Sequence, residues 1–195
     1  MNTREKILKT AGLLFSQRGY FAVSMQDVAN KVGISKPALY YYFKGKNDLC
    51  RTLLENSSKD LFEELTTAVQ KGKTPTDKLF NLIVAYLNFS LERPEVNLIF
   101  KEGFGGKDNL EKFILNFRLQ VLSFFKKAIK KATVQADKPF AHLSLTVSIL
   151  ASLLSRPIFL VHTTPRQLAK NIIELFFPIE NKLESYRWEK NIYSF

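Results

Sequence analysis

The chain has 195 residues, of which 46% are hydrophobic, so it can bury one sizeable core and is too short for more than one domain plus a small module. Its formal charge of +11, from 29 Lys and Arg against 18 Asp and Glu, predicts a polyanionic partner, either nucleic acid or an anionic membrane surface. The single cysteine, Cys50, excludes an internal disulfide framework and a Cys-based zinc site, and the only histidines are His142 and His162. We therefore expect no metal and no cofactor.

No targeting or membrane-spanning segment is predicted. The polar start, Met1 to Lys6, leads into an amphipathic segment and not into an apolar signal core. The most apolar stretch, Leu143 to Leu154, is too short to cross about 30 Å of hydrocarbon, and Arg156-Pro157 follows it. We expect a cytoplasmic protein that does not bind a membrane.

Hydrophobic residues recur with helical spacing almost throughout, which predicts an all-α fold of about nine helices. The first helix starts near Thr3 and ends before Gly19, which is expected to form a left-handed cap. The second follows Ser24, which forms a capping box with Asp27, and ends at Gly33. The third follows Ser35 and is predicted to end at Gly45.

The later helices are predicted from the same spacing and are separated by segments that contain Gly or Pro. They span about 46–71, 75–92, 95–104, 108–133, 139–155 and 165–177, with a short one at 179–187. Residues 1–50 hold eight Lys and Arg against three Asp and Glu, so basic residues are denser there than in the rest of the chain. We predict two units, one at residues 1–46 and a larger helical one at residues 47–195.

The segment from Met25 to Phe43 has the pattern of a helix-turn-helix. Small Ala29 allows a close helix crossing, and Gly33 supplies the turn between the helices. Such a unit places its second helix in the major groove of DNA. The exposed face of that helix offers cations for phosphates and tyrosine rings and hydroxyls for phosphates and thymine methyl groups: Lys36, Tyr40, Tyr41 and Lys44. The helix starts at Ser24, Ser35 and Lys46 add amide groups that can bind phosphate.

The N-terminal sequence closely resembles the DNA-binding domain of TetR-family transcriptional regulators over residues 3 to about 54. The resemblance is carried by Gly19-Tyr20, Val23-Ser24-Met25, Asp27-Val28-Ala29, Val32-Gly33-Ile34-Ser35, Lys36-Pro37-Ala38-Leu39-Tyr40-Tyr41-Tyr42-Phe43 and Lys46. It implies a homodimer, usually a repressor, that binds a palindromic operator and is released when a small ligand fills the C-terminal domain.

The resemblance also implies a role for individual residues. Ser24 would hold a phosphate at the start of the second helix. The residues that would face bases are Lys36, Pro37, Ala38 and Tyr40, and those that would lie on the DNA backbone are Tyr41, Tyr42 and Lys46. Tyr42 stands where many family members have histidine. Leu39 and Phe43 continue the apolar stripe and are predicted to be core.

The C-terminal part is rich in phenylalanine, which indicates either an ordinary core or an apolar cavity for an effector. Fatty acyl derivatives and flat aromatic compounds are both plausible guests of such a cavity. The candidate lining residues are Phe89, Phe100, Phe104, Phe117, Gln120, Val121 and Phe124. The exposed cluster Lys126, Lys127, Lys130 and Lys131 is either a solvated face or a site for an acidic ligand group, such as a phosphate of an acyl-CoA.

A dimer interface is predicted between the helices at 139–155 and 165–177, because small residues beside an apolar stripe let helices approach closely. Burial within one monomer is the alternative. The candidate interface residues are Leu143, Val147, Leu150, Ala151, Leu154, Leu168, Ile172, Leu175 and Phe176. No function is assigned to the tail, residues 178–195.

Two other classes of function are less well supported by the sequence. An enzyme is disfavoured, because only two histidines are present, Gly-x-Ser-x-Gly does not occur, and Gly105-Gly106-Lys107 lacks the spacing of a P-loop. A binder of nucleic acid or membrane that uses charge alone would not need the turn at Gly33 or the three consecutive tyrosines. We therefore predict a protein with no catalytic residue that reads DNA sequence.

Overall fold

The computed structural model describes residues 2–100, 109–135 and 163–176, and these residues form helices and no strand. Seven are α-helices: α1 (Thr3–Arg18), α2 (Met25–Val32), α3 (Lys36–Tyr42), α4 (Lys46–Gln70), α5 (Pro75–Glu92), α6 (Asn109–Gln135) and α7 (Pro165–Phe176). A 3-10 helix, Pro94–Phe100, follows α5. The all-α prediction is confirmed; the helices predicted at 139–155 and 179–187 lie outside the described residues.

The short N-terminal helices begin where local side chains satisfy their free amide groups. Capping boxes pair Asn2 with Glu5 at the start of α1 and Ser24 with Asp27 at the start of α2. Ser35 accepts a hydrogen bond from the Ala38 amide at the start of α3 (3.2 Å). These caps fix the start of each helix to the residue that the sequence predicts.

Glycines with positive φ end the first two helices, but only one of them is a left-handed cap. Gly33 has φ 82° and ψ 37°, which is the left-handed conformation expected at this position. Gly19 has φ 82° but ψ 153°, so the prediction of a left-handed helical cap there is wrong. The chain leaves α1 in an extended direction instead, which carries it into the α1–α2 loop.

The segment after α5 differs from its prediction in helix type. An α-helix is predicted at 95–104, whereas residues 94–100 form the tighter 3-10 helix. Two of its polar side chains, Glu95 and Asn97, are buried. The segment packs against α1, α4, α5 and α6. Tertiary packing, and not the local spacing of apolar residues, therefore determines its course.

One continuous core joins the N-terminal helices to the later ones. α4 packs against α1, α5 and α6, and α5 also packs against α7. Aromatic rings meet edge to face inside this core, as in the Tyr86–Phe125 pair, whose centroids are 5.7 Å apart. No helix in the described ranges combines the length and the apolar character that a membrane span requires.

Candidate nucleic-acid interface

Helices α2 and α3 form a helix-turn-helix held by a small apolar core. Val28, Ala29 and Val32 of α2 are buried, as is Leu39 of α3. The turn is closed by the Gly33 amide, which donates to Ala29 O (3.0 Å), and by the Ile34 amide, which donates to the same oxygen (3.1 Å). These four positions are buried as the pattern predicts, Ile34 in the turn is only half-buried, and Gly33 has the predicted conformation.

The opposite side of α3 is exposed and carries the residues predicted to contact DNA. Lys36 and Pro37 in the first turn are exposed. Tyr40 is 45% exposed and Tyr41 85%, which is unusual for large aromatic side chains unless a partner covers them. Ala38 is half-buried, and Leu39 and Phe43 are buried as predicted. Helix α3 thus presents a short cationic and aromatic face.

The serines at the starts of α2 and α3 are exposed, but Ser24 already has partners within the protein. Its hydroxyl donates to Asp27 Oδ2 (2.6 Å) and accepts from the Asp27 amide (3.1 Å), while its own amide donates to Asp27 Oδ2 (2.8 Å). These hydrogen bonds, together with the nearby Arg18 guanidinium, lower the pKa of the Asp27 carboxyl. A phosphate at Ser24 would have to share the hydroxyl with this carboxylate.

Tyr42 and Lys46 are both half-buried, in contrast to Tyr40 and Tyr41. Tyr42 is half-buried and its ring meets the Tyr41 ring edge to face at 5.2 Å. The Lys46 ammonium donates to Tyr20 O (3.1 Å) and Phe21 O (3.4 Å) and lies 4.4 Å from the centre of the Tyr20 ring. In this structure Lys46 contacts the α1–α2 loop.

One cation near this surface is not predicted from the sequence. The Arg4 guanidinium lies 5.1 Å from the centre of the Phe43 ring, at the C-terminal end of α3. Arg4 and Phe43 are far apart in sequence and belong to no shared motif, so no local signal could have indicated the pair. Their contact places a positive charge of α1 beside the C-terminal end of α3.

The predicted ligand-binding residues divide between the core and the surface. Phe89, Phe117 and Val121 are buried, Phe124 is half-buried, and Gln120 is exposed. The Phe117 ring packs 5.8 Å from that of Phe62, which in turn lies 5.9 Å from Phe124. Phe104 and the side chain of Phe100 lie outside the described residues. The half-buried rings of Phe62 and Phe124 therefore pack against the buried core at Phe117, and Gln120 does not face the same space as Val121.

A surface groove of about 460 Å³ lies between α4 and the C-terminal end of α5. Its lining is mostly charged: Asp60, Glu63, Glu64, Thr67, Phe89, Glu92 and Arg93. Burial and the neighbouring Glu92 carboxylate raise the pKa of Glu64. Arg93 pairs with Asp60 (3.1 Å) and thereby joins the two helices. This groove differs in character from the apolar cavity that the sequence predicts.

Little of the predicted dimer interface falls within the described residues. In α7, Leu168 is half-buried and Ile172 buried, and both belong to the packing of α7 against the core. The others lie outside the described residues or have side chains that do: Leu143, Val147, Leu150, Ala151, Leu154, Leu175 and Phe176. The four lysines at 126, 127, 130 and 131 are all exposed on α6.

Catalytic and metal-binding chemistry finds no support in the described ranges. They contain no group of three or more His, Cys, Asp or Glu side chains placed to hold a metal ion. The Cys50 thiol is buried, and burial raises its pKa to about 12, so it is a poor nucleophile.

A family of known proteins matches this N-terminal part of the chain. Residues 7–53 match the family model described as "Bacterial regulatory proteins, tetR family". The uncharacterized HTH-type transcriptional regulator YuxN of Bacillus subtilis (strain 168) is 34% identical over 105 residues, which are 53% of this chain and 36% of YuxN. The repressor KstR2 of Mycolicibacterium smegmatis is 29% identical over 82 residues, 42% of this chain and 40% of KstR2. The likeness thus extends over less than half of each relative's length.

The likeness in fold extends over most of the chain. The crystal structure of AibR, in complex with isovaleryl coenzyme A and operator DNA, superposes with a TM-score of 0.75 and 20% identity, covering 91% of this chain and 99% of AibR. The helix-turn-helix at residues 7–53 therefore has the sequence pattern of the tetR family of bacterial regulatory proteins, and the helical fold of the chain is similar to that of AibR.

Proposed function

We propose that the protein is a sequence-specific transcriptional regulator, acting as a repressor, that binds a palindromic operator and is released by a small hydrophobic effector. The observation that carries this proposal is the two-sided character of α3. Leu39 on one side is fully buried, whereas Tyr40 and Tyr41 on the other are exposed together with Lys36. A helix fixed to its domain in this way can enter the major groove without rearrangement.

The residues of this surface divide by chemistry into two groups. Lys36, Pro37, Ala38 and Tyr40 face base edges, because they occupy the first turns of α3, the part of a recognition helix that enters the groove. Ser24, Ser35, Tyr41 and Tyr42 face the phosphates, since hydroxyl and helix-terminal amide groups donate to phosphate oxygens.

The small size of α3, the helix proposed to contact the bases, supports a homodimer. Helix α3 has only seven residues, so one copy reads too few base pairs to select a site in a genome. Two copies related by a twofold axis read a palindrome, with half-sites separated by about one or more turns of DNA. We place the interface at the predicted C-terminal residues, with the half-buried Leu168 of α7 at its described edge, whereas Ile172 is buried in the core of its own chain.

Release by an effector is supported by the family and by the composition of the C-terminal helices. AibR is crystallised with an acyl-coenzyme A and operator DNA. In this chain the aromatic residues Phe62, Phe117 and Phe124 form a continuous apolar layer between α4 and α6. An apolar guest would enter by parting this layer, which would shift the equilibrium between a DNA-binding and a released state. We place the protein, with its DNA, in the cytoplasm.

Selection of bound fragments from a random duplex library, at near-physiological salt, tests the proposal. We expect one enriched palindromic motif, bound at least about a thousandfold more tightly than random DNA at the same salt concentration. Binding with no enriched motif would indicate that charge alone attracts DNA, unless a co-purified ligand holds the protein in the released state. Extraction of the preparation for small molecules, followed by a second selection, distinguishes these two explanations.

A further inference from the structure

An exposed stripe of leucines runs along the outer side of α6. Leu115 is 52% exposed and Leu119 is 55% exposed, and Leu122 is half-buried. The three positions are separated by four and then three residues, which is the spacing that places side chains on one side of a helix. We name these three residues the leucine stripe. The proposed function does not use it.

The leucine stripe lies on the side of α6 opposite its packed aromatic rings. Successive residues of an α-helix are about 100° apart around its axis. Phe117 and Phe124, whose rings pack against α4, are therefore about 160° and 180° from Leu115. Single exposed leucines, such as Leu13 of α1 and Leu91 of α5, are normal on protein surfaces. Leucines aligned on one side of a helix instead favour a partner that covers them.

Residues of opposite charge lie at the two ends of the leucine stripe. Glu111 comes four residues before Leu115, and Lys126 comes four residues after Leu122, so both lie on the same side of α6. Glu111 is half-buried and Lys126 is exposed. The two residues are about 22 Å apart along the helix axis. This side of α6 therefore carries an acid, then the leucines, then a base.

The order of these residues is complementary to itself when a second copy of α6 lies antiparallel. With the midpoint of the leucine stripe on a twofold axis, Leu115 lies opposite Leu122 of the second copy, and Glu111 lies opposite its Lys126. The symmetry repeats each contact, so a Glu–Lys pair closes each end of the stripe. A parallel second copy would place each charge beside its own kind, which is unfavourable.

We infer that the leucine stripes of two copies bind each other antiparallel, at a surface separate from the C-terminal interface proposed above. One pair of helices makes a contact smaller than about 1,200 Å², so the association is weak and depends on concentration. A chain with two different twofold interfaces joins dimers into tetramers. The tetramer rests on the dimer of the proposed function, whereas the pairing of α6 does not.

Exchange of the two charges tests the pairing. Sedimentation velocity without DNA, over about a hundredfold range of protein concentration, should show the parent doubling in mass. Lys126→Glu places two acids together at each end of the stripe and should weaken this association at least about tenfold. Glu111→Lys should do the same with two bases. The double variant Glu111→Lys/Lys126→Glu should restore the association, because each pair forms again with its signs exchanged.

Lys127→Glu is the matched control for the change in net charge. Lys127 is exposed like Lys126 but lies about 120° from Leu115 around the helix axis, so its reversal should leave the association unchanged. Equal weakening by Lys126→Glu and Lys127→Glu would show that only net charge matters. That result, a double variant that does not recover, or a parent that does not double in mass would overturn the inference.

Crosslinking tests the position of the twofold axis. Leu119 lies beside the axis, so Leu119→Cys should form a disulfide with its copy under mild oxidation, while Cys50 is buried and does not compete. Gln120→Cys, exposed at the next position and about 100° further around the helix, should crosslink at least about tenfold more slowly. Equal rates would indicate random collision and would overturn the antiparallel register.

The competing explanation is that the chain itself covers the leucine stripe, and stability distinguishes the two. Leu119→Gln exchanges one good helix former for another and removes the apolar side chain. At the lowest protein concentration it should unfold at the same urea concentration as the parent, and at high concentration it should no longer double in mass. A lower urea midpoint at low concentration would overturn the inference. These measurements use no DNA, so they remain decisive if the proposed function fails.

Discussion

Cys50 illustrates how burial determines the chemistry of a single residue. Its side chain is fully buried in α4, and burial raises its pKa to about 12 despite the nearby Lys46 charge. We expect the native thiol to react with a disulfide reagent at pH 8 at least about a hundredfold more slowly than the unfolded thiol. Labelling with and without guanidinium chloride measures this ratio. Equal rates would show that the first turns of α4 open readily.

Asp27 makes the stability of α2 depend on pH. Hydrogen bonds from Ser24, and the Arg18 charge, lower the pKa of its carboxyl in the folded state. A lowered pKa means that the carboxylate stabilises the fold above the unfolded pKa, and that this contribution is lost as the pH falls through the folded pKa. We expect Asp27→Asn to lower Tm at pH 7 and to have much less effect at pH 3.

Thermal unfolding of Asp27→Asn and the parent, followed by circular dichroism at both pH values, checks this expectation. Glu55→Gln is the control, because Glu55 forms an exposed pair with Arg51 on α4 (2.8 Å), and exposed pairs contribute little. An Asp27→Asn deficit that is equal at pH 7 and pH 3 would contradict an electrostatic origin.

At the scale of elements, a buried carboxylate fixes the 3-10 helix to α4 and α1. Glu95 is 5% exposed and accepts a hydrogen bond from the buried Ser57 hydroxyl (2.8 Å). Gly12 of α1 faces it so closely that an added Cβ would lie 3.2 Å from Glu95 Oε2. A substitution at any of the three positions therefore affects how these elements meet.

We expect Ser57→Ala to destabilise the protein by about 1–3 kcal/mol, because it leaves the Glu95 carboxylate buried without this donor. Urea unfolding measures the change, and Ser58→Ala, at the next and less buried position of α4, serves as the matched control. Equal stability of the two variants would mean that Glu95 finds another donor.

Helix α3 gives a prediction about specificity. Tyr40 is proposed to face bases and Tyr41 the backbone, although the two are neighbours and both exposed. Tyr40→Ala should reduce the ratio of operator to random-DNA affinity by about tenfold, since lost base contacts matter only at the right sequence. Tyr41→Ala should weaken binding to the operator and binding to random DNA by the same factor. Titration of each variant with operator and with random DNA measures these affinities. Equal affinity ratios in the two variants would refute the division of roles between Tyr40 and Tyr41.

The sequence predicts best those elements whose signals are local. Ser24, Gly33 and Ser35 act within four residues of themselves, and α2 has the predicted bounds. Helix α3 begins at the predicted residue but ends at Tyr42, so the predicted end at Gly45 is wrong. Local spacing predicts an α-helix where the structure has the 3-10 helix. The prediction fails because Glu95 is buried against Ser57, 38 residues earlier in the chain, and spacing does not report that contact. The contact of Lys46 with Tyr20, 26 residues away, likewise cannot be predicted from the spacing of neighbouring residues. Contacts between distant residues are what sequence spacing cannot report.

At the scale of the whole molecule, charge and symmetry act together. The net charge of +11 attracts any DNA, so it raises affinity without selecting a sequence. Under the proposed function, selection requires that two copies of α3 meet their half-sites at once. In the proposed dimer the protein and not the DNA would set the distance between the two copies of α3, so a rigid pair would tolerate only one spacing.

We therefore expect the selected palindrome to lose affinity when its half-sites are moved apart. Insertion of about 5 base pairs turns one half-site to the opposite face of the duplex, so that only one α3 can engage and binding falls to the level of random DNA. An insertion in the flanking sequence is the matched control and should have no effect. Native mass spectrometry of the parent complex should show two chains of 22.4 kDa per site. Unchanged affinity at the altered spacing would mean that single chains bind independently, and the palindrome would then reflect two separate sites.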